Sequence, residues 1–163
     1  MKKIMIFGNS GSGKSTLAKE CAEKYKLSHL DLDILAWENT NPPTRKPLSD
    51  SICEIGQFIE KNESWVIEGC YSDLLGVVIE KTNEIIFLNP GIETCISNCR
   101  NRPWEPHKYN TKEEQDNNLE MLLSWIKQYP DRNNNECSLS SHQRLFNEFS
   151  GKKTEYPSNQ RNS

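Results

Sequence analysis

The feature that most constrains the fold of this chain is the segment "FGNSGSGKST", residues 7–16. Gly8–Ser15 match the pattern G-x-x-x-x-G-K-[ST] of the phosphate-binding loop. A short apolar run precedes the loop, and from Lys14 onward the apolar positions recur with helical spacing. The sequence therefore predicts a buried strand, a glycine-rich loop and a helix in direct succession.

The residue types in this loop suit a polyphosphate ligand. Glycines let the backbone turn tightly with its N–H groups pointing inward, and the following helix adds the positive end of its dipole. Lys14 supplies a charge for the β- and γ-phosphates, and the Ser15 hydroxyl is placed to bind Mg²⁺. The predicted cofactors are ATP, which these residues do not distinguish from GTP, and Mg²⁺. The predicted nucleotide-binding residues are Gly8, Asn9, Ser10, Gly11, Ser12, Gly13, Lys14, Ser15 and Thr16.

Short apolar strands alternate with helical patterns along the rest of the chain. This alternation predicts an α/β fold with a parallel sheet, right-handed crossovers and helices on both faces. We expect a single domain over residues 1–156, with a lid at about 100–113 and a disordered tail at 157–163. The predicted strands are 3–7, 28–32, 65–68, 84–88 and 152–156. Six helices are predicted. The first begins at Lys14, the second includes Ile52–Ile59, the third and fourth cover 73–80 and 92–100, the fifth begins after Thr111, and the sixth covers 140–149.

The composition limits the cellular compartments and the classes of binding partner that we expect for this protein. A net charge of -3 and a pI of about 5.7 argue against direct nucleic-acid binding. The chain contains neither a signal peptide nor a transmembrane segment, and its six cysteines suit reduced thiols, so we expect a cytoplasmic protein. Cys95 and Cys99 are spaced to share a helix face, which favours two core residues over a zinc-held loop with His107.

Several polar residues follow the predicted strands and are expected to meet at one edge of the sheet, where such folds bind ligands. Asp33 is a candidate to orient an acceptor hydroxyl, to act as its base or to organise the water shell of Mg²⁺; the alternatives are a helix N-cap and a solvated carboxylate. Glu68 is placed to hold magnesium-bound water, with an ordinary strand-end carboxylate as the alternative, so the predicted metal residues are Ser15 and Glu68. With Lys14 and Asp33, the lid arginines Arg100 and Arg102 complete the predicted catalytic set.

Four more side chains are weaker candidates. Arg132 is a possible second lid contact, and Arg45 is placed to meet an anionic substrate. Trp37 and Trp104 flank the predicted cleft, where they either stack on a base or sugar or pack in the protein; ordinary packing is favoured.

The remaining motifs favour phosphoryl transfer over hydrolysis. Asp73–Gly76 match D-x-x-G, yet no guanine-reading N-K-x-D follows. Motor-type ATPases need additional subdomains that 163 residues cannot house. A small-molecule kinase needs a phosphate cradle, an acceptor pocket and a mobile lid, and each has a candidate here. The predicted acceptor is a hydroxylated small molecule or a nucleotide.

The chain also resembles a known family. The segments "KIMIFGNSGSGKSTLA", "HLDLDILAW", "WVIEGCYSDLL", "IIFLN" and "LLSWIKQYPDR" are similar to the adenylate-kinase-like P-loop proteins of DNA topology modulation (FlaR-related). The resemblance implies a five-stranded nucleoside-kinase-like fold with strand order 2-3-1-4-5 and ATP binding at residues 8–16. It assigns the family aspartate of Leu-Asp-x-Leu-x-Trp to Asp33. The chain departs from the family pattern "DGNY" at Glu68 and Cys70, and its lid has fewer arginines.

Two functions therefore stay open. The favoured one is an ATP-dependent kinase whose acceptor and oligomeric state the sequence does not disclose. The other is a nucleotide-binding regulatory module of low turnover that acts through a partner, as the family name suggests.

Overall fold

The core of the protein is a five-stranded sheet whose neighbouring strands are all parallel. The computed structural model describes residues 1–38, 40, 44–133 and 136–159. The strand order is β2-β3-β1-β4-β5, as the family resemblance implied. The strands are β1 Lys3–Gly8, β2 Ser28–Asp31, β3 Trp65–Gly69, β4 Glu84–Leu88 and β5 Lys152–Tyr156.

Seven α-helices accompany the sheet within the described residues, and a 3₁₀ turn, Ile79–Lys81, follows the fourth. One of them, a four-residue helix after β2, was not predicted. The Asp31 carboxylate accepts a 2.9 Å hydrogen bond from the N–H of Asp33 and caps this helix, so Leu32 leaves the strand. The helices are α1 Lys14–Tyr25, α2 Leu32–Leu35, α3 Leu48–Lys61, α4 Ser72–Val78, α5 Ile92–Arg100, α6 Lys112–Lys127 and α7 Leu139–Glu148.

Helices cover both faces of the sheet, as the alternation of elements predicted. Along β1, Met5 and Phe7 face one side and Ile4 and Ile6 face the other, because successive strand residues point to opposite faces. The first side packs against buried or partly buried residues of α2, α3, α4 and α7. The second side packs against Leu17, Ala18 and Cys21 of α1.

A separate apolar cluster joins α5 to α6. Cys95 and Cys99 are buried there against Leu123 and Ile126, which confirms that the two cysteines are core residues. Throughout the described ranges, no three or more His, Cys, Asp and Glu side chains come together as ligands of one metal ion. The six cysteines form no disulfide. None of the described helices is long and apolar enough to cross a membrane.

Two sets of side-chain hydrogen bonds fix the edges of the fold. Thr111 caps α6 by accepting the Glu114 N–H, and the Glu114 carboxylate accepts from the N–H of Asn110, one residue before the cap. Asn159, in the segment predicted as a disordered tail, exchanges two side-chain hydrogen bonds with Asn98 of α5. The remainder of that segment, 160–163, and positions 39, 41–43 and 134–135 lie outside the described residues.

Candidate active site

The phosphate-binding loop connects β1 directly to α1. Gly11 and Gly13 have φ of +79° and +95°, a region that side chains rarely adopt. A Cβ atom on Gly11 would also lie 2.5 Å from the Cys95 carbonyl oxygen. The N-cap of α1 is Gly13, so no side chain occupies the first N–H groups of this helix. The local backbone is thus shaped to present N–H groups to an anion.

Two side chains hold the loop from within. Lys14 is buried, and its Nζ donates a 2.8 Å hydrogen bond to the Asn9 carbonyl oxygen. The Asn9 side chain accepts from the N–H of Ser10 and donates to the Ile126 carbonyl, which ties the loop to α6. Ser12, also in the loop, has a buried hydroxyl with no partner in the described part of the chain. Of the other predicted nucleotide-binding residues, Thr16 is exposed at the start of α1.

The two predicted metal residues are in direct contact. The Ser15 hydroxyl donates a 2.8 Å hydrogen bond to Oε1 of Glu68, whose side chain is almost completely buried. The other carboxylate oxygen, Oε2, lies 2.7 Å from Nε2 of His29 on β2. Burial alone would raise the pKa of Glu68, but the hydrogen bonds from His29 and Ser15 outweigh it and lower that pKa. Glu68 therefore stays an anion beside the loop.

Asp33 lies in the first turn of α2 with its carboxylate free of the capping role, because Asp31 is the N-cap. Its Oδ1 is 3.7 Å from the Sγ of Cys70, which donates to it. A hydrogen bond with Cys137 and burial both raise the pKa of Cys70, so this thiol keeps its proton. Burial, reinforced by the charges of Asp33 and Glu68, raises the pKa of Asp31 to about 6.

The charges of Asp33, Glu68 and Lys14 act on one another. Burial on its own lowers the pKa of Lys14, but contributions from Cys70, Asp33, Cys137 and Glu68 more than offset it and raise that pKa. Because the Cys70 thiol is protonated, the negative charges that act on this buried cation are those of the Asp33 and Glu68 carboxylates. The structure thus brings the candidate acceptor carboxylate, the candidate metal carboxylate and the loop lysine into one electrostatically coupled site.

The predicted lid arginines make no hydrogen bond or ion pair with residues 8–16 among the described residues. Arg102 pairs with Glu105 at 3.2 Å, inside the lid, and Glu105 also lies 3.7 Å from both His107 and Lys108. Arg100 is exposed at the end of α5. Trp104 donates its indole N–H to the Tyr109 carbonyl and so packs within the lid.

Arg132, predicted as a second lid contact, binds backbone and ring atoms of the protein itself. Its Nε and Nη1 donate to the carbonyl oxygens of Cys137 and Trp125, at 2.5 and 2.7 Å. Its guanidinium also lies 3.7 Å above the Trp125 ring. These contacts join the end of α6 to the segment before α7.

Two histidines that were not among the predicted site residues, His29 and His142, make side-chain hydrogen bonds around the candidate site. His29 contacts Glu68, and the β2–β3 register, with Asp31 opposite Glu68, brings them together. His142 is buried between the Cys70 carbonyl and the Tyr129 hydroxyl, at 2.8 and 2.6 Å. Burial lowers the pKa of His142 to about 3, so the ring is neutral. His29 could have been found from the sequence, because it lies two residues before Asp31 on β2, and residues two apart on a strand point to the same face. That face of β2 lies beside Glu68.

Comparison with known proteins defines the fold class. No protein-family profile and no curated protein sequence matches the chain. The structure is similar to shikimate kinase from Acinetobacter baumannii in complex with shikimate, with a TM-score of 0.57 and 12% identity over 99% of this chain and 86% of that one. It is also similar to a gluconokinase from Sinorhizobium meliloti 1021, with a TM-score of 0.54 and 15% identity over 98% and 84% of the two chains.

A sugar kinase from Janibacter sp. HTCC2649 is similar over 78% of this chain and 95% of its own, with a TM-score of 0.50 and 14% identity. At such identities the likeness establishes the fold. This chain has the P-loop nucleoside-kinase-like fold, which it shares with these three kinases.

Proposed function

We propose that this protein is an ATP- and Mg²⁺-dependent kinase that transfers the γ-phosphoryl group to a hydroxyl of a small-molecule acceptor. The observation that carries the proposal is the 2.8 Å hydrogen bond from Ser15, the residue after Lys14, to the buried Glu68 carboxylate, together with the Asp33 carboxylate that Cys70, two residues beyond Glu68, contacts. Phosphoryl transfer to a hydroxyl uses two such groups, one beside the metal ion and one beside the acceptor. The kinase fold of the structural neighbours supports the same assignment.

The residues present fit both cofactors. A glycine-rich turn that leaves no room for a Cβ at Gly11, an N-terminus of α1 without a side-chain cap and a buried cation suit a polyphosphate. A hydroxyl and a carboxylate in contact, those of Ser15 and Glu68, are the oxygen donors that Mg²⁺ prefers. When bound, Mg²⁺ supplies charge neutralisation and orients the phosphates.

The chain's own groups act by position and charge. Backbone N–H groups of residues 8–15 hold the phosphates, and the Lys14 ammonium offsets the charge that develops during transfer. Asp33 accepts a hydrogen bond from the acceptor hydroxyl, aims its oxygen at the γ-phosphorus and takes its proton. The Cys70 thiol donates to Asp33 and fixes the carboxylate. The lid, with Arg100 and Arg102, excludes water when it closes, which protects the phosphoryl group from hydrolysis.

One observation favours a second candidate function. Arg102 of the lid forms an ion pair with Glu105, so its positive charge is already offset within the lid and is less available to phosphates. A protein whose lid delivers little positive charge suits a regulatory module that binds nucleotide with low turnover, of the topology-modulation type, and acts through a partner protein. In either function we propose a cytoplasmic protein that does not contact nucleic acid directly, given its acidic balance.

Acceptor-dependent release of ADP separates the two functions. The protein would be incubated with MgATP and a panel of sugars, sugar alcohols, hydroxy acids, nucleosides and nucleoside monophosphates, with Lys14→Ala as the inactive control. A kinase releases ADP faster with one acceptor class, and Lys14→Ala abolishes the increase. A uniform slow background across the panel would support the regulatory module and contradict the kinase.

A further inference from the structure

Five side chains form a corner of the candidate site on the acceptor side, and we call them the acceptor corner: Asp33, Trp37, Arg45, Tyr71 and Asp73. Tyr71 is its centre, because the Trp37 ring meets it edge to face at 6.3 Å and the Arg45 guanidinium lies 4.4 Å above it. An isolated antiparallel bridge joins the backbones of Trp37 and Arg45. The preceding residue, Cys70, contacts Asp33, so the corner adjoins the candidate acceptor carboxylate.

The positive charge of this corner is already neutralised. Nη2 of Arg45 lies 3.1 Å from Oδ2 of Asp73, and each side chain is 29% exposed. The Tyr71 ring covers the Arg45 guanidinium. Asp73 contacts one guanidinium nitrogen, and the Nε of Arg45 is buried without a hydrogen-bond partner among the described residues. An acceptor carboxylate or phosphate that approaches Arg45 therefore also meets the negative charge of Asp73. The sequence suggested that Arg45 meets an anionic substrate, whereas the structure pairs it within the protein.

None of the other arginines in the described segments takes the place of Arg45 as a partner for an anionic acceptor. Arg102 is paired with Glu105, and Arg132 donates to two backbone carbonyls. Arg100 is exposed on α5. Arg144 is exposed on α7, where it lines a depression together with Glu148 and Asp73. The acceptor corner therefore has two carboxylates and one cation. Asp31 adds a further acidic group beside Asp33, and the positive charge that acts on Asp31 is that of Lys108, which also lies 3.7 Å from Glu105.

From this charge balance we infer that the acceptor is an uncharged polyhydroxylated molecule, such as a sugar or sugar alcohol. The inference rests on the kinase function proposed above and narrows it. Hydroxyl groups donate to carboxylates, so Asp33 and Asp73 recognise them without a charge on the ligand. The Trp37 ring, 39% exposed, offers a flat apolar surface to the C–H face of such a molecule. A sugar acid or nucleotide would meet like charge instead.

The experiment compares D-sorbitol with D-gluconate, which share a six-carbon skeleton and differ in charge. Their binding to the protein loaded with Mg²⁺ and a non-hydrolysable ATP analogue would be measured by calorimetry, and ADP release with MgATP in parallel. The variant Asp73→Asn keeps the size of the side chain and releases Arg45 from its ion pair. Asp116→Asn, which removes an exposed charge paired with Lys112, is the matched control.

We expect the parent protein to favour sorbitol over gluconate by about tenfold or more, and Asp73→Asn to bind gluconate about tenfold more tightly than the parent. Asp116→Asn should leave both affinities unchanged. A parent that favours gluconate, or an Asp73→Asn variant without any gain toward it, overturns the inference. If the parent prefers sorbitol and Asp73→Asn gains gluconate affinity while no acceptor stimulates ADP release, the site discriminates ligands by charge as inferred, but the kinase function fails and sorbitol is a bound ligand instead of an acceptor.

Discussion

The hydroxyl of Ser15 donates a hydrogen bond of 2.8 Å to the carboxylate of Glu68, which lies 53 residues further along the chain. Ser15 lies at the start of α1, and Glu68 lies in β3, beside the strand that leads into the loop. The contact puts a hydroxyl and a buried anion at the mouth of the loop. It is the arrangement that would hold a hydrated Mg²⁺ beside bound phosphates.

Replacing this carboxylate tests its metal role. Glu68→Gln keeps the size and most hydrogen-bonding capacity of the side chain but removes its charge. We expect the Mg²⁺ concentration for half-maximal ATP binding to rise by about tenfold or more, because an oxygen anion is the preferred partner of this ion. Calorimetric titrations of ATP at several Mg²⁺ concentrations would measure it. An unchanged Mg²⁺ requirement would contradict the assignment.

His29 is expected to act through Glu68. Its ring fixes Oε2 at 2.7 Å, so His29→Ala should let the carboxylate turn away and raise the Mg²⁺ requirement by about tenfold. His29→Gln, which can still donate a hydrogen bond, should recover part of the loss. His107→Ala, at an exposed lid position, is the control and should match the parent. Equal Mg²⁺ requirements in His29→Ala and His107→Ala would show that His29 does not position Glu68.

The loop glycines are tested by a matched pair of substitutions. Gly11→Ala forces a side chain into a positive φ and against the Cys95 carbonyl, so we expect a loss of about 1–3 kcal/mol in the free energy of unfolding, together with weakened ATP binding. Gly56→Ala meets nothing within 4 Å on α3 and should stabilise the protein by about 0.5–1 kcal/mol. Urea unfolding would measure both. The reverse order of stabilities would refute the loop conformation.

Asp31 gives a prediction about pH. Its folded pKa is about 6, above the unfolded value of about 3.9, so the folded state binds this proton more tightly. The stabilisation is complete below about pH 4 and is lost as the pH rises through 6. Asp31→Asn, which still caps α2, should therefore exceed the parent in unfolding free energy by about 1–3 kcal/mol at pH 8 and match it at pH 4. A difference that is the same at both pH values would contradict a raised pKa.

Much of this architecture could be predicted from the sequence because local pattern determines it. The phosphate loop has a spacing that few unrelated segments share, and buried strands such as β4 are short apolar runs that end at turn residues. Glu68 could be placed because parallel strands end at one edge of the sheet. The five strands were each located to within a residue or two of their observed bounds.

Other features depend on contacts between distant positions, which pattern does not encode. Helix α2 has four residues and thus too few turns to show a period. The pairing of Arg45 with Asp73 and that of Arg102 with Glu105 depend on where loops settle, so both arginines looked available to a ligand. His29 reaches Glu68 only through the register of β2 against β3.

The proposed function requires the backbone of residues 8–15 to bind the phosphates of ATP. An NMR titration of ¹⁵N-labelled protein with MgATP, following the backbone amides, would test this directly, alongside the same titration of Lys14→Ala. We expect the largest saturable shifts at Gly11, Gly13 and Lys14, and we expect Lys14→Ala to weaken the binding by at least about tenfold. Saturable shifts confined to other parts of the protein, with residues 8–15 unaffected, would contradict it.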